Sequence, residues 1–311
     1  MNHDYSEVLI DGPWRHEFVS ANGSRFHVAL AGPQERTAPL VVLLHSFPQF
    51  WWAWRHQIPA LADAGYRVAA IDMRGSGASD KPPHGYDIAT RTRDVAGVIR
   101  SLGAKSATII GHGLGGSTAW AMPTLQPAVT QAVGALSAPH PARLHTSLQQ
   151  AMTRKARAQI AYLRLPVVPE RMIIKDDFLE GILKEWSGTD WSPEVLETYL
   201  HALRIPFAAH NSLEQLRWCT RPLNSAVGRR YLSAVRSPIS VPALQLHGSR
   251  DGLFRVEHAT TDSSALCLNL RSEVVGAAGH FLAEEKPELV NSILLDWLGT
   301  HTPTTPQPLA E

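Results

Sequence analysis

Two residues late in the chain have the types and order to move protons. Asp251 lies in His247-Gly-Ser-Arg-Asp-Gly252 after one apolar run, and His280 in Ala278-Gly-His-Phe281 after the next. A carboxylate beside an imidazole fixes the ring's tautomer and leaves its far nitrogen free as a base. Either residue alone reads equally well as a helix cap or a satisfied loop histidine. Together, and following the stretch Ala107–Ser117, they point to an acid–histidine dyad. That earlier stretch has the layout of a nucleophile elbow: the apolar strand Thr108-Ile-Ile110, small flanks Gly111 and Gly115, and a helical pattern from Ser117 onward. The attacking side chain of an elbow stands midway between the flanks, which here is Gly113. Glycine carries nothing that can attack, although it does relieve the backbone strain of that position. Backbone donors survive such a loss, and the N–H groups of Phe47 and Leu114 are the candidates for an oxyanion hole. Ser117 falls a turn into the helix and is expected to sit away from those donors. Asp72 ends a neighbouring strand and reads as structural, and His112 reads as packing.

The elements that would position these residues follow from periodicity. Arg15–Ser20 and Arg25–Ala31 read as strands joined at the turn pair Asn22-Gly23. Leu40–Leu44, Tyr66–Ile71, the elbow strand, Ala132–Leu136, Ala243–Leu246 and Glu273–Val275 read as strands of a parallel sheet, several of them continuous apolar runs. Helices are expected over Trp51–Ala64 and Ile88–Leu102, after the elbow, from Arg255–Ala259 onward and over Pro287–Leu298. Residues 1–13 read as a loose lead, and the Pro/Thr-rich tail Thr300–Glu311 as disordered. Between about Ala142 and Ser237 the alternation stops, giving way to helical segments broken by prolines and rich in aromatics. The predicted fold is therefore α/β, a doubly wound and mostly parallel sheet, with a discontinuous core of residues 1–141 and 238–311 and a helical cap of residues 142–237. Ligands of such sheets bind at the carboxyl ends of the strands, where every motif above falls.

Composition narrows the function. A net charge of +1 without a basic stripe argues against a nucleic-acid partner. Two distant cysteines, Cys219 and Cys267, argue against a disulfide framework or zinc site and for a reducing, cytoplasmic setting. No apolar run is long enough to span a bilayer, and the polar, acidic start lacks the layout of a signal peptide. No metal and no cofactor are expected. The expected partners are a small apolar organic molecule and, for assembly, a second copy of the chain as a homodimer.

From about Trp14 to Leu298 the chain resembles the epoxide-hydrolase-like branch of the α/β-hydrolase superfamily. The resemblance is carried by His45-Ser-Phe-Pro-Gln-Phe-Trp-Trp-Ala-Trp-Arg55, Asp72-Met-Arg-Gly-Ser-Gly-Ala-Ser-Asp-Lys-Pro82, Gly111-His-Gly-Leu-Gly-Gly116, Ser137-Ala-Pro-His-Pro141, Asp251 and Gly279-His280. It implies an elbow aspartate that attacks an epoxide carbon, two cap tyrosines that hold the epoxide oxygen, and an Asp–His pair that activates water. Carried over, the pair falls on Asp251 and His280, and the nucleophile on Gly113. One tyrosine would fall near Leu216 or Gln215 in Ser212-Leu-Glu-Gln-Leu-Arg-Trp218, and Tyr162 or Tyr199 would supply the other. His45, Leu216, Tyr162, Tyr199 and Trp218 are accordingly the expected substrate-pocket residues. The family's His-Gly has also become His45-Ser46.

Three readings of function follow. The first is a hydrolase for a small apolar epoxide or ester whose covalent step is disabled by Gly113, with little or no turnover expected. The second is an enzyme that uses His280–Asp251 as a general base without a covalent intermediate. The third is a non-enzymatic protein that binds a small ligand or partner in a capped cavity.

Overall fold

The computed structural model describes residues 4–142, 150–220, 226–259 and 265–304. Eight strands form one sheet: β1 (Arg15–Ala21), β2 (Ser24–Ala31), β3 (Leu40–Leu44), β4 (Arg67–Ile71), β5 (Ala107–His112), β6 (Thr130–Leu136), β7 (Ala243–Gly248) and β8 (Leu270–Val275). Their order in space is β1-β2-β4-β3-β5-β6-β7-β8. β2 pairs antiparallel with both β1 and β4, and the strands from β4 to β8 run parallel. The central strands β3, β5, β6 and β7 are buried almost throughout, as a parallel sheet covered on both faces requires.

Helices α1 (Gln57–Asp63), α2 (Ile88–Ser101) and α3 (Gly113–Leu125) alternate with the strands. Among the described residues six more lie between β6 and β7: α4 (Arg154–Leu163), α5 (Val168–Met172), α6 (Asp176–Ser187), α7 (Pro193–Arg204), α8 (Ala208–Thr220) and α9 (Ala226–Ala234). Then come α10 (Val256–Ala259), α11 (Leu282–Glu285) and α12 (Pro287–His301). Local chemistry starts several of them. Asp87, Thr153 and Ser192 each accept a backbone N–H from the first turn of α2, α4 and α7. Gly188 closes α6 in the left-handed conformation.

Three expectations need correction. The apolar stretch Trp51–Ala64 is not one helix but a 3-10 turn, Trp51–Trp54, followed by α1. Residues three apart eclipse one another in a 3-10 turn, and this puts Trp51 and Trp54 together in the core, both fully buried. The lead is not loose, because Tyr5–Val8 forms a 3-10 turn whose Val8 is buried and accepts at its carbonyl from Trp51 Nε1 at 2.9 Å. The final helix also runs further than read, and Thr302 is buried with its hydroxyl 2.9 Å from that of Thr108. Residues 305–311 of the expected tail lie outside the described residues.

Asp72, at the end of β4, ties the loops beneath the site together. Its carboxylate accepts from the N–H groups of Trp51 and Ala78, each at 2.9 Å, and faces His27 Nδ1 at 2.8 Å. Burial pushes this carboxyl up, but the His27 hydrogen bond and nearby donors hold it below the usual aspartate range. Its stabilising contribution is therefore complete above that range and is lost as pH falls through the lower folded value. Asp72→Ala, which orphans two buried N–H groups and a ring nitrogen, should cost about 3 kcal/mol or more in urea unfolding. Asp72→Asn should flatten the acid limb of stability below about pH 4. A loss under about 1 kcal/mol for Asp72→Ala would show that other contacts hold these loops.

Candidate active site

Four strand-to-helix loops meet at the carboxyl edge of the sheet. At the elbow, β5 passes into α3 through a turn too tight for side chains on its flanks. A Cβ on Gly111 would stand 2.2 Å from the carbonyl carbon of Gly115, and one on Gly115 would stand 2.2 Å from Leu44 O. Gly113 between them has φ +48°, the left-handed conformation that side chains resist. α3 begins at Gly113, a turn earlier than the Ser117 start read from the sequence.

Asp251 and His280 are brought together. His280 Nδ1 lies 3.0 Å from Asp251 Oδ2, and both residues are buried. Asp251 Oδ1 accepts the N–H groups of Leu253 and Phe254 at 2.8 and 2.9 Å. Asp251 is therefore not a helix cap, since α10 begins only at Val256: Oδ1 closes a local turn and Oδ2 serves the dyad. Burial pushes the Asp251 carboxyl up, but His280 and the backbone donors outweigh it and hold it below the usual range. An ionised carboxylate can only accept, so the Nδ1 proton belongs to the ring and Nε2 is the nitrogen turned away from Asp251. His112 and His247 on either side stay neutral, because burial lowers them to about 3 and about 4. His112 Nε2 bonds His280 O at 2.7 Å, the packing role expected of it.

The loop carrying His280 is fastened from two sides. Glu285 accepts from Gly279 N–H at 2.7 Å and from Phe281 N–H at 2.8 Å. From the inserted helices, the Trp186 carbonyl accepts from both His280 N–H and Gly252 N–H, each at 3.0 Å. The Trp186 indole stands edge-on to the His280 ring with centroids 5.6 Å apart.

His280 Nε2 faces the elbow: a Cβ on Gly113 would stand 3.4 Å from it. The same point is 2.2 Å from Ser46 Oγ and 2.9 Å from Ser46 Cβ. Ser46 therefore fills the space that an elbow side chain would need. Its Oγ accepts the Leu114 N–H at 3.1 Å, one of the two backbone donors expected for an oxyanion hole. Among the described residues no acceptor is recorded for the other, Phe47 N–H.

These groups open onto a cavity of about 40 Å³, walled by Ser46, Phe47, Gly113, Leu114, Ser117, Met152, Trp186, Leu216, Cys219, Phe254 and His280 among others. This holds about three waters, since a water needs about 10–15 Å³ of such space. Pockets for drug-sized ligands run to roughly 300–1,000 Å³.

The other expected pocket residues divide. Leu216 lines the cavity, whereas Gln215 turns away to the Arg74 carbonyl at 3.0 Å. Tyr199 is buried elsewhere, its hydroxyl bonded to Glu284 and accepting from Gln49 Nε2 at 3.2 Å, with Arg55 on the far side of the carboxylate at 2.7 Å. Burial raises the Tyr199 hydroxyl well above its usual range. Tyr162 packs against Phe178 on another face of the inserted helices, and Trp218 packs against Tyr231. His45 accepts Met73 N–H at Nε2 and bonds Ser46 O through Nδ1, so it braces the loop below the cavity. Tyr162, Tyr199, Trp218 and His45 are thus corrected to packing and bracing positions. Ser117, one turn after Gly113, returns to the same helix face and joins the cavity wall.

Sequence reasoning also missed residues. Ser46 stood out only as a departure from a family motif. Trp186, Met152 and Cys219 carry no local signal, because only the packing of the inserted segment brings them to the site, and Phe254 reaches it from the loop that carries Asp251.

The family model for the alpha/beta hydrolase fold matches residues 39–287. The chain is 33% identical over 290 residues to the AB hydrolase superfamily protein YfhM of Bacillus subtilis, covering 91% of this chain and 97% of that protein. It is 31% identical over 316 residues to epoxide hydrolase A of Mycobacterium tuberculosis, covering 90% and 96%. Among solved structures, epoxide hydrolase A of Mycobacterium thermoresistibile superposes with a TM-score of 0.77 at 27% identity, covering 94% and 100%.

The Ser46–Gly113 contact generates a stability test. Gly113→Asp and Gly113→Ser must strain the backbone by about 1–3 kcal/mol and push against Ser46. Both should lower the melting temperature. Ser46→Gly in the same chain should recover part of the Gly113→Asp loss, a coupling of about 0.5–3 kcal/mol in a double-mutant cycle. Additive effects would mean that the two residues do not share the space.

Proposed function

The chain belongs to the alpha/beta hydrolase family, on its epoxide-hydrolase-like side, and from that premise we propose a hydrolase for small apolar acyl esters in which the His280–Asp251 pair carries the proton transfers and the elbow supplies no attacking group. The observation that carries this reading is the buried, hydrogen-bonded pair with Nε2 turned toward the Gly113 cavity. An oriented, unprotonated imidazole can take a proton from an attacking O–H group and return it to a leaving alkoxide. Asp251 stabilises the imidazolium formed between the two events. The Phe47 N–H, with no recorded acceptor among the described residues, would supply a donor for the developing oxyanion.

Elbow-dependent epoxide opening is not expected of this chain. It would need a carboxylate at Gly113 and hydroxyl donors from the inserted helices, and Tyr199 is committed to Glu284 and Gln49. A cavity of about 40 Å³ favours a short acyl group and argues against a ready-made store for a larger ligand. The inserted helices would have to give before anything larger could enter.

The test is turnover of p-nitrophenyl acetate and of styrene oxide by the wild-type chain and by His280→Ala. The wild type should hydrolyse the ester and leave the epoxide untouched. His280→Ala, checked to be folded at the assay temperature, should lose about 100-fold or more of the ester activity. Equal ester turnover in both proteins would refute the base, and epoxide turnover by the wild type would refute the closed elbow.

A further inference from the structure

The loss at Gly113 coincides with a gain across the site. We infer that the Ser46 hydroxyl is the attacking nucleophile, moved from the elbow to the loop after β3; this rests on the base role proposed for His280. One point in space, the place of a Cβ on Gly113, lies 2.2 Å from Ser46 Oγ and 3.4 Å from His280 Nε2. An elbow serine would carry its oxygen one bond away from that same point. The Ser46 oxygen therefore sits close to where the lost nucleophile's would be.

Three features distinguish this hydroxyl from a mere space filler. Ser46 is buried on the wall of the cavity that also contains His280, so it meets whatever enters. Its oxygen accepts the Leu114 N–H at 3.1 Å, which polarises the hydroxyl and stabilises negative charge on Oγ as the proton leaves. Its own proton has no acceptor recorded among the described residues, His280 Nε2 included, so the hydroxyl must turn to hand it to Nε2. The hydroxyl is one rotation about Cα–Cβ from other positions on its arc, and catalytic hydrogen bonds often tighten only once substrate is bound. Ser117, the other serine on the wall, lies a full helical turn beyond the elbow.

The step balances without any co-reactant beyond water. The Ser46 Oγ–C bond forms at the ester carbonyl as Nε2 takes the hydroxyl proton. The C–O bond to the alcohol breaks, and His280 returns the proton to the leaving alkoxide. Water then attacks the acyl-Ser46 carbonyl with His280 again taking a proton, and the carboxylic acid leaves as Ser46 recovers its hydrogen.

The experiment treats the full chain with diisopropyl fluorophosphate, then reads the intact mass and maps the modified peptide. A single adduct on Ser46 is expected, formed about 100-fold more slowly or not at all in His280→Ala. Ser46→Ala should lose about 100-fold or more of p-nitrophenyl acetate turnover and should not be labelled. Mapping on the wild type keeps the test decisive even if Ser46→Ala folds poorly. An adduct on Ser117 or any other residue, or no adduct, overturns the assignment. Full ester turnover in Ser46→Ala beside a silent His280→Ala would make water the attacker and remove Ser46 while preserving the base. Full turnover in His280→Ala would instead remove the reading beneath it.

Discussion

The arrangement depends on how closely three stretches of backbone approach at the elbow. Gly111 and Gly115 bring β5 and α3 into contact, and Gly115 in turn sits against the carbonyl of Leu44 at the end of β3. Any side chain at those flanks would drive the elements apart by more than packing could absorb. Because the approach is so tight, the loop after β3 is pressed against the first turn of α3. That is why Ser46 and Leu114, distant in sequence, are hydrogen-bonded neighbours. The loops from β7 and β8 then bring Asp251 and His280 to the same edge, and the parallel register of β6, β7 and β8 fixes their height.

At that contact the residues at positions 46 and 113 are complementary. Gly113 carries no side chain, and Ser46 on the facing loop occupies the space that a Cβ there would need. Interiors are packed too densely for a side chain to be added at 113 with Ser46 in place. The glycine relaxes a strained backbone, and the serine occupies the space and engages the exposed N–H of Leu114. Ser46 thus fills the space beside Gly113 that an elbow side chain would need.

Much of the framework was legible because its signals are local. Continuous apolar runs marked the buried strands, Asn22-Gly23 marked the hairpin, and small residues around 113 marked the elbow. Asp251 and His280 were legible through order and spacing after it. The residues from the inserted helices were not. Tyr162, Tyr199 and Trp218 are aromatic in an aromatic-rich stretch, and nothing in their neighbourhood says which of several packing partners each will take. Tyr199 turns to Glu284, 85 residues away, and only the folded chain places that carboxylate beneath it. Trp51–Trp54 misled for the opposite reason: its spacing fits an α-helix and a 3-10 turn alike until Asp72 takes the Trp51 N–H. Ser46 was visible as an oddity, but its meaning depends on a distance to Gly113 that no pattern encodes.

The carbonyl of Trp186 accepts at once from Gly252 N–H and His280 N–H, next to the acid and at the base themselves. Opening the cavity by swinging α6 outward would break both bonds and orphan the amides beside the dyad. Opening of the cavity on that side and alignment of the Asp251–His280 pair are therefore mechanically geared. The walls around Met152, Leu216 and Cys219 have no such link through the Trp186 carbonyl. An opening that does lift Trp186 switches the proton-transfer pair out of alignment for as long as it lasts.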